Sequence, residues 1–287
     1  MKTLTKYLNE RLIIFPSQVD EKLVINKDYK DAHKYTCAPK TFEELRKIIE
    51  DRYNTLGSGT KQKPINFNDV DVSNVDSFYY KDMGIFEGTK FEYIDISEWD
   101  VLNVKDISYM FSKCYKLKSV GDLSEWNVSN CENTNSMFFV CEQLKSVGKL
   151  SNWNVSKVEN MHNMFCGCEQ LKSVGDLSNW NVSKVEIMSD MFWGCTNLVS
   201  VGNLSNWNVS NVENMSRIFQ GCYKLKSVGD LSNWNVSKVE NMKHMFCHCK
   251  NLTSVGDLSK WNVSRVKYMN NIFKESGITN IPKWYKE

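Results

Sequence analysis

The chain has 287 residues, 41% of them hydrophobic, and its 36 basic and 34 acidic side chains leave a formal charge of only +2. Lys and Glu are interleaved, so no field of one sign is available to gather nucleic acid or an anionic lipid surface. No run approaches the about 18 apolar residues of a membrane-spanning helix, and charges interrupt MKTLTKYLNERLIIF where a signal peptide would be apolar, so neither membrane insertion nor classical secretion is expected.

The first 65 residues do not repeat. Leu4, Tyr7, Leu8 and Leu12 fall at helical spacing and predict a short helix over residues 2–13 that Pro16 stops. A second helix is better marked. Thr41 and Glu44 form a capping box, Phe42, Leu45, Ile48, Ile49, Tyr53 and Leu56 make the apolar side, and Gly57 supplies the stop. GSGTKQK, residues 57–63, then reads as a hinge. Residues 1–65 are expected to form a small helical cap, because the first unit of an array would otherwise expose an apolar face and an unpaired edge.

From Phe67 a degenerate rung begins, with Val72-Ser73-Asn74-Val75 echoing later Val-Ser-x-Val; Met83 and Phe86 are at irregular offsets. The period is then strict. Trp99, Trp126, Trp153, Trp180, Trp207, Trp234 and Trp261 are 27 residues apart, and Cys114, Cys141, Cys168, Cys195, Cys222 and Cys249 keep the same interval. Such a period means one supersecondary unit stacked on the next, here a solenoid over residues 66–281 of about seven rungs, roughly 35 Å long at ~4.8 Å per rung. All four prolines, Pro16, Pro39, Pro64 and Pro282, lie outside the regular rungs, whose backbone donors must stay available. In the final turn Ile278 and Ile281 stand in for Leu and Val, and Trp284 and Tyr285, in a tail over 282–287, are placed to fold over the last rung.

Within one rung, Ser156-Lys157-Val158-Glu159 has the S-x-x-E form of a helix start, and Val158, Met161, Met164 and Phe165 make one helical stripe ended by Gly167. Leu171, Val174, Leu177, Trp180 and Val182 suit a more extended segment. It is credible as a strand only if the rungs above and below pair with it. Ser119, Ser146, Ser173, Ser200, Ser227 and Ser254 would then form a hydroxyl ladder, and the repeat cysteines a buried thiol ladder, since free Cys behaves as a small core hydrophobe.

The pattern C-x-x-L-x-S-V-G-D-L-S-N-W-N-V-S-x-V-x-x-M-x-x-M-F-x-x-C resembles the BspA-like leucine-rich-repeat proteins, in the branch whose repeats read L-S-x-W-[ND]-V-S-x-V-x-x-M-x-x-M-F. The resemblance covers residues 67–281, and the helix at Lys40–Ile49 looks like the leader found before such arrays. It implies an α/β, leucine-rich-repeat-like fold with one short parallel strand and one short helix per rung. It also implies adhesion or binding at a bacterial surface or in a virion; without an export signal, the cytoplasm is the other expected location.

Candidate chemistry is sparse. Asn127, Asn154, Asn181, Asn208, Asn235 and Asn262 each begin an Asn-Val-Ser sequon, but the serine already has a capping role. His244, Cys247, His248 and Cys249 are the densest set of metal-ligand types, yet they occupy slots that drift between repeats, so no metal and no cofactor are expected. No nucleophile constellation or phosphate loop is present, and the chain is read as not an enzyme. Residues that differ between rungs are the ones left for contact. Phe139 and Trp193 stand in one such column, Tyr115 and Tyr223 in another, and Lys118, Lys145, Lys172 and Lys226, interrupted by Val199 and Thr253, form a basic stripe. The expected function is a monomeric interaction or adhesion module for a protein or glycan partner, with a cytoplasmic or virion scaffold and a metal-binding protein as alternatives.

Overall fold

The computed structural model describes residues 35–286; the helix expected over residues 2–13 lies outside them. From Cys37 onward the chain is one unit, and it begins with α1, Phe42–Leu56. Thr41 caps α1 as its sequence implies. The threonine oxygen accepts the Glu44 N–H at 3.1 Å, and the Glu44 carboxylate accepts the Lys40 N–H at 2.7 Å. Gly57 ends the helix at φ 77°. Leu45 and Ile49 are fully buried, and Phe42, Ile48 and Tyr53 pack on the same core, whereas Leu56, in the last turn, is 59% exposed.

Two short strand pairs follow. β1, Ile65–Asn66, pairs in parallel with β4, Ile94–Asp95, and β2, Tyr79–Tyr80, pairs antiparallel with β3, Met83–Gly84. Beyond Asp95 the pairing among the described residues is by single residues, in two columns of parallel bridges. One joins Ser119 to Ser146 and Ser173 to Ser200 to Ser227; the other runs Asp106, Asn133, Asn160, Ile187, Asn214, Asn241, Tyr268.

That second column starts the stretch where the sequence predicts a helix, and no helix forms there. In the rung around Met161, the N–H groups of Met161, Asn163, Phe165 and Gly167 donate to the carbonyls of Ile187, Ser189, Met191 and Trp193 on the next rung. Those of Met164, Cys166 and Cys168 close turns on Met161, Asn163 and Phe165. An α-helix would return each N–H to its own chain four residues back and leave none for the neighbour. Asn163 at φ 56° and Gly167 at φ 74° give the chain the reversals this alternation needs. The Ser156/Glu159 capping box is absent for the same reason. Ser156 donates its N–H to Asn154 Oδ1, and the Glu159 N–H goes to Glu132 on the preceding rung.

Inside, like side chains lie over like. Successive indoles from Trp99 to Trp284 stack at 6.2–6.5 Å with planes 1–13° apart. Phenyl rings from Phe86 to Phe273 stack at 5.1–6.1 Å. Phe86, irregular by its spacing, thus heads a regular column. The indole N–H and the repeat thiol also reach down one rung. Trp180 Nε1 donates to the Leu150 carbonyl at 2.8 Å, and Cys168 Sγ to the Phe138 carbonyl at 3.2 Å. The serine hydroxyls do not form a ladder of their own; Ser173 Oγ accepts the Gly175 N–H, and the same closure recurs on other rungs. Glycine is required after it, because at Gly202 the φ is +87° and a Cβ would lie 1.8 Å from Asp176 Oδ1. At the far end Ile278 is buried but Ile281 is 41% exposed, so only the first of that pair reaches the core.

None of the ten cysteines is in a disulfide, and of these Cys37 alone is not buried. Burial pushes the Cys114 thiol up to about 11, Cys249 to about 12, and Cys168 and Cys222 well above the ordinary range. Native thiol titration is therefore expected to modify Cys37 and spare the other nine until the chain is unfolded. A raised thiol pKa means that above pH ~9 the unfolded chain has lost protons that the native chain still holds. Stability is thus expected to fall between about pH 9 and 12, measured as the urea midpoint, and Cys168→Ser is expected to flatten that slope. Trp180→Phe leaves the Leu150 carbonyl unmet and a gap in the stack, for an expected loss of about 2–4 kcal/mol on urea unfolding.

Candidate interaction face

With the repeated side chains buried, chemistry is left to the columns that differ from rung to rung. Their backbone is held while their side chains are not. The Gly167 N–H takes the Trp193 carbonyl, and the Gly194 N–H takes that of Gln220, so neither bond constrains which side chain is carried. In the first column Phe139 is half-buried, Cys166 and Cys247 are 2% exposed, and Trp193 is 43% exposed. Tyr115 and Tyr223 in the second are 50% and 44% exposed, and the Lys250 ammonium lies 5.8 Å from the Tyr223 ring centre. The lysines do not behave alike. Lys145, Lys172 and Lys226 are exposed, whereas Lys118 pairs with Glu92 at 2.5 Å and sits 5.6 Å from the Tyr93 ring, holding the Glu92 carboxyl below its usual range.

A third column completes the face: Tyr109, Ser136, Asn163, Asp190, Arg217, His244 and Asn271, every one at a φ of 53–61°. Its variability is visible in the sequence at the His244 slot, but its left-handed backbone is not. Around Asp190 it builds a small charged network. The carboxylate is 2% exposed and is clamped by Arg217, through Nε to Oδ1 and through Nη2 to Oδ2 at 3.2 Å. The guanidinium, its pKa held above the usual value by that carboxylate, lies 5.6 Å from the Trp193 ring centre. His162 Nδ1 is 2.8 Å from Ser189 Oγ and 3.8 Å from Asp190 Oδ2.

The Ser189, His162 and Asp190 side chains resemble a nucleophile relay in composition only. Hydroxyl and carboxylate face the same ring nitrogen, so the imidazole cannot pass a proton from one to the other, which needs both its nitrogens. At the other end of the column, burial and then the Arg217, Lys243 and Lys274 charges lower the His244 pKa. The metal-ligand types nearby point apart. Cys249 Sγ donates to the Phe219 carbonyl in the core, His248 meets Glu275 at 3.0 Å, and among the described residues no three His, Cys, Asp or Glu side chains converge. The Asn of each Asn-Val-Ser accepts its own serine's N–H, as Asn181 does at 3.1 Å, closing a turn.

A family profile described as "Mycoplasma protein of unknown function, DUF285" matches residues 57–174, 121–227 and 169–284. Among solved structures the chain is similar to a leucine-rich repeat protein from Bacteroides ovatus ATCC 8483, with 21% identity, 74% of this chain and 64% of that one covered, and a TM-score of 0.24. It is also similar to the functional domain of InlJ from Listeria monocytogenes, described as including a cysteine ladder, with 10% identity, 74% and 57% covered, and a TM-score of 0.19. The chain spans less than two thirds of the length of either. Comparison with curated proteins gives no match.

Arg217→Ala strands the Asp190 carboxylate in a buried position and releases Trp193. The expected result is a loss of about 3 kcal/mol on urea unfolding, mostly recovered in the Asp190→Asn/Arg217→Ala double variant, together with faster depolarisation of Trp193 fluorescence.

Proposed function

The chain belongs to the family described as Mycoplasma protein of unknown function, DUF285, and on that footing we propose that it is a non-enzymatic interaction module. In this reading the rungs form a leucine-rich-repeat-like solenoid, the 27-residue branch of the BspA-like repeats, and a protein or glycan partner is held by the columns that vary. The observation that carries the reading is a division of labour. The repeated apolar side chains and thiols are buried, while Tyr115, Trp193 and Tyr223 are large aromatics left 43–50% exposed. Aromatic side chains of this kind dominate binding energy when a partner desolvates them. Trp193 is moreover braced by Arg217, itself fixed on Asp190, so little ordering cost remains for binding. Among the described residues no helix is long and apolar enough to cross a membrane.

Capture from the native host, with the intact chain and with a Trp193→Ala/Tyr223→Ala double variant compared side by side, tests this. The expected outcome is one or more partners whose recovery falls at least tenfold with the double variant, while the unfolding midpoint is unchanged. Equal recovery by both proteins would sink the reading. Biotinylation of intact cells, read on the same partner complex, decides whether the module is exposed outside, as the BspA-like resemblance implies.

A further inference from the structure

The two ends of the rung stack are finished differently. On each rung from the one at Ile107 to the one at Met242, four N–H groups at alternate residues reach the next rung. Met242, His244, Phe246 and His248, for example, donate to the carbonyls of Tyr268, Asn270, Ile272 and Lys274. At the N-terminal end the stack has carbonyls with no rung beneath them, and α1 supplies the donors. Arg46 Nη1 reaches the Ile85 carbonyl at 2.9 Å and the Glu87 carbonyl at 3.4 Å. These two are the counterparts of the Met110 and Ser112 carbonyls, which accept from Phe86 and Gly88 one rung on.

The C-terminal end has the complementary need, and among the described residues no such device meets it. Among the described residues no acceptor meets the N–H groups of Met269, Asn271, Phe273 and Glu275, the counterparts of the four donors above. The final segment goes elsewhere: Gly277 donates to Cys249, and Trp284 stacks on Trp261 at 6.2 Å with its N–H on the Leu258 carbonyl. Beside the open donors the apolar side chains are uncovered too. Val236, Val239 and Met242 are at most 1% exposed, but their counterparts Val263, Val266 and Met269 are only half-buried, and Tyr268 is 58% exposed.

We propose that this last rung, Val263 to Glu275, is a docking edge for an extended polypeptide segment of another protein, which adds itself as one more rung. The polarity of the edge selects that occupant. It offers four N–H donors two residues apart and a single carbonyl, Lys267, in the place of the Glu240 carbonyl that accepts from Lys267. The fitting segment therefore presents carbonyls at alternate residues over about eight residues, one N–H just before them, and apolar side chains over Val266 and Met269. A second copy does not fit. Its own C-terminal edge would set donor against donor, and at its N-terminal edge the Ile85 and Glu87 carbonyls are occupied by Arg46. The edge is separate from Trp193 and Tyr223 and goes beyond the lateral-face reading.

The experiment is amide-resolved hydrogen exchange on the full chain, with and without a synthetic peptide of its own residues 210–223, the segment that supplies these carbonyls to the rung before it. In the free chain the Met269, Asn271 and Glu275 amides are expected to exchange at least a hundredfold faster than those of Met242, His244 and His248, and saturating peptide is expected to slow them at least tenfold. A scrambled peptide is expected to leave them unchanged. Val266→Lys is expected to weaken the peptide at least tenfold while leaving Trp193-dependent capture intact, which separates the two surfaces. Slow exchange in the dilute free chain, protection that rises with protein concentration without peptide, or no protection at saturating peptide would each overturn the proposal.

Discussion

The structure depends on one choice made at every backbone amide: whether it bonds within its rung or to the next. Along the Met161 to Cys168 stretch the choice alternates strictly, odd residues reaching the neighbour and even ones closing a turn. The alternation gives each of these N–H groups a partner while letting each 27-residue turn lie flat against its neighbours. It also explains the tolerance of positive φ at residues as different as Asp190, Arg217 and His244. A strained conformation that would be costly in isolation is held there by bonds on both sides.

From that choice follows the separation of scaffold and surface. The inward indole and thiol columns present the same side chain on each rung, since a Trp over a Trp or a thiol under a carbonyl is satisfied only by its like. A neighbouring buried column admits Ile107, Thr134 and Met161 at one slot. Columns that point outward are anchored chiefly through main-chain bonds and carry Tyr, Glu, Thr or Lys in the same slot. Asp190 is an informative exception. It is an outward-column residue that has become buried, and the protein accommodates its charge by recruiting the next rung's Arg217. That pair fixes Trp193 where a partner can meet it.

The same hydrogen-bond polarity makes the ends of the stack chemically unlike. A rung presents acceptors on one side and donors on the other, so a guanidinium from α1 can finish the first, while the second requires carbonyls. Repeat proteins generally need caps to keep such ends from pairing indiscriminately. Here the N-terminal device is visible in detail, and the C-terminal segment covers the indole column but not the donor row.

How much of this was legible beforehand can be judged from particular residues. The period, the thiol and indole columns, the α1 cap at Thr41 and the outward aromatics are all written in the order of the residues, because each is a matter of like spacing or of contacts a few positions apart. The helix expected from Val158, Met161, Met164 and Phe165 was not there, although its spacing is helical. Runs of turns and helices bury side chains at much the same intervals, and what separates them is where the N–H groups go. That destination lies on another rung, 26 residues away along the chain, so only the folded stack could decide it. The clamp on Asp190 and the open donors after Met269 are likewise properties of rung upon rung.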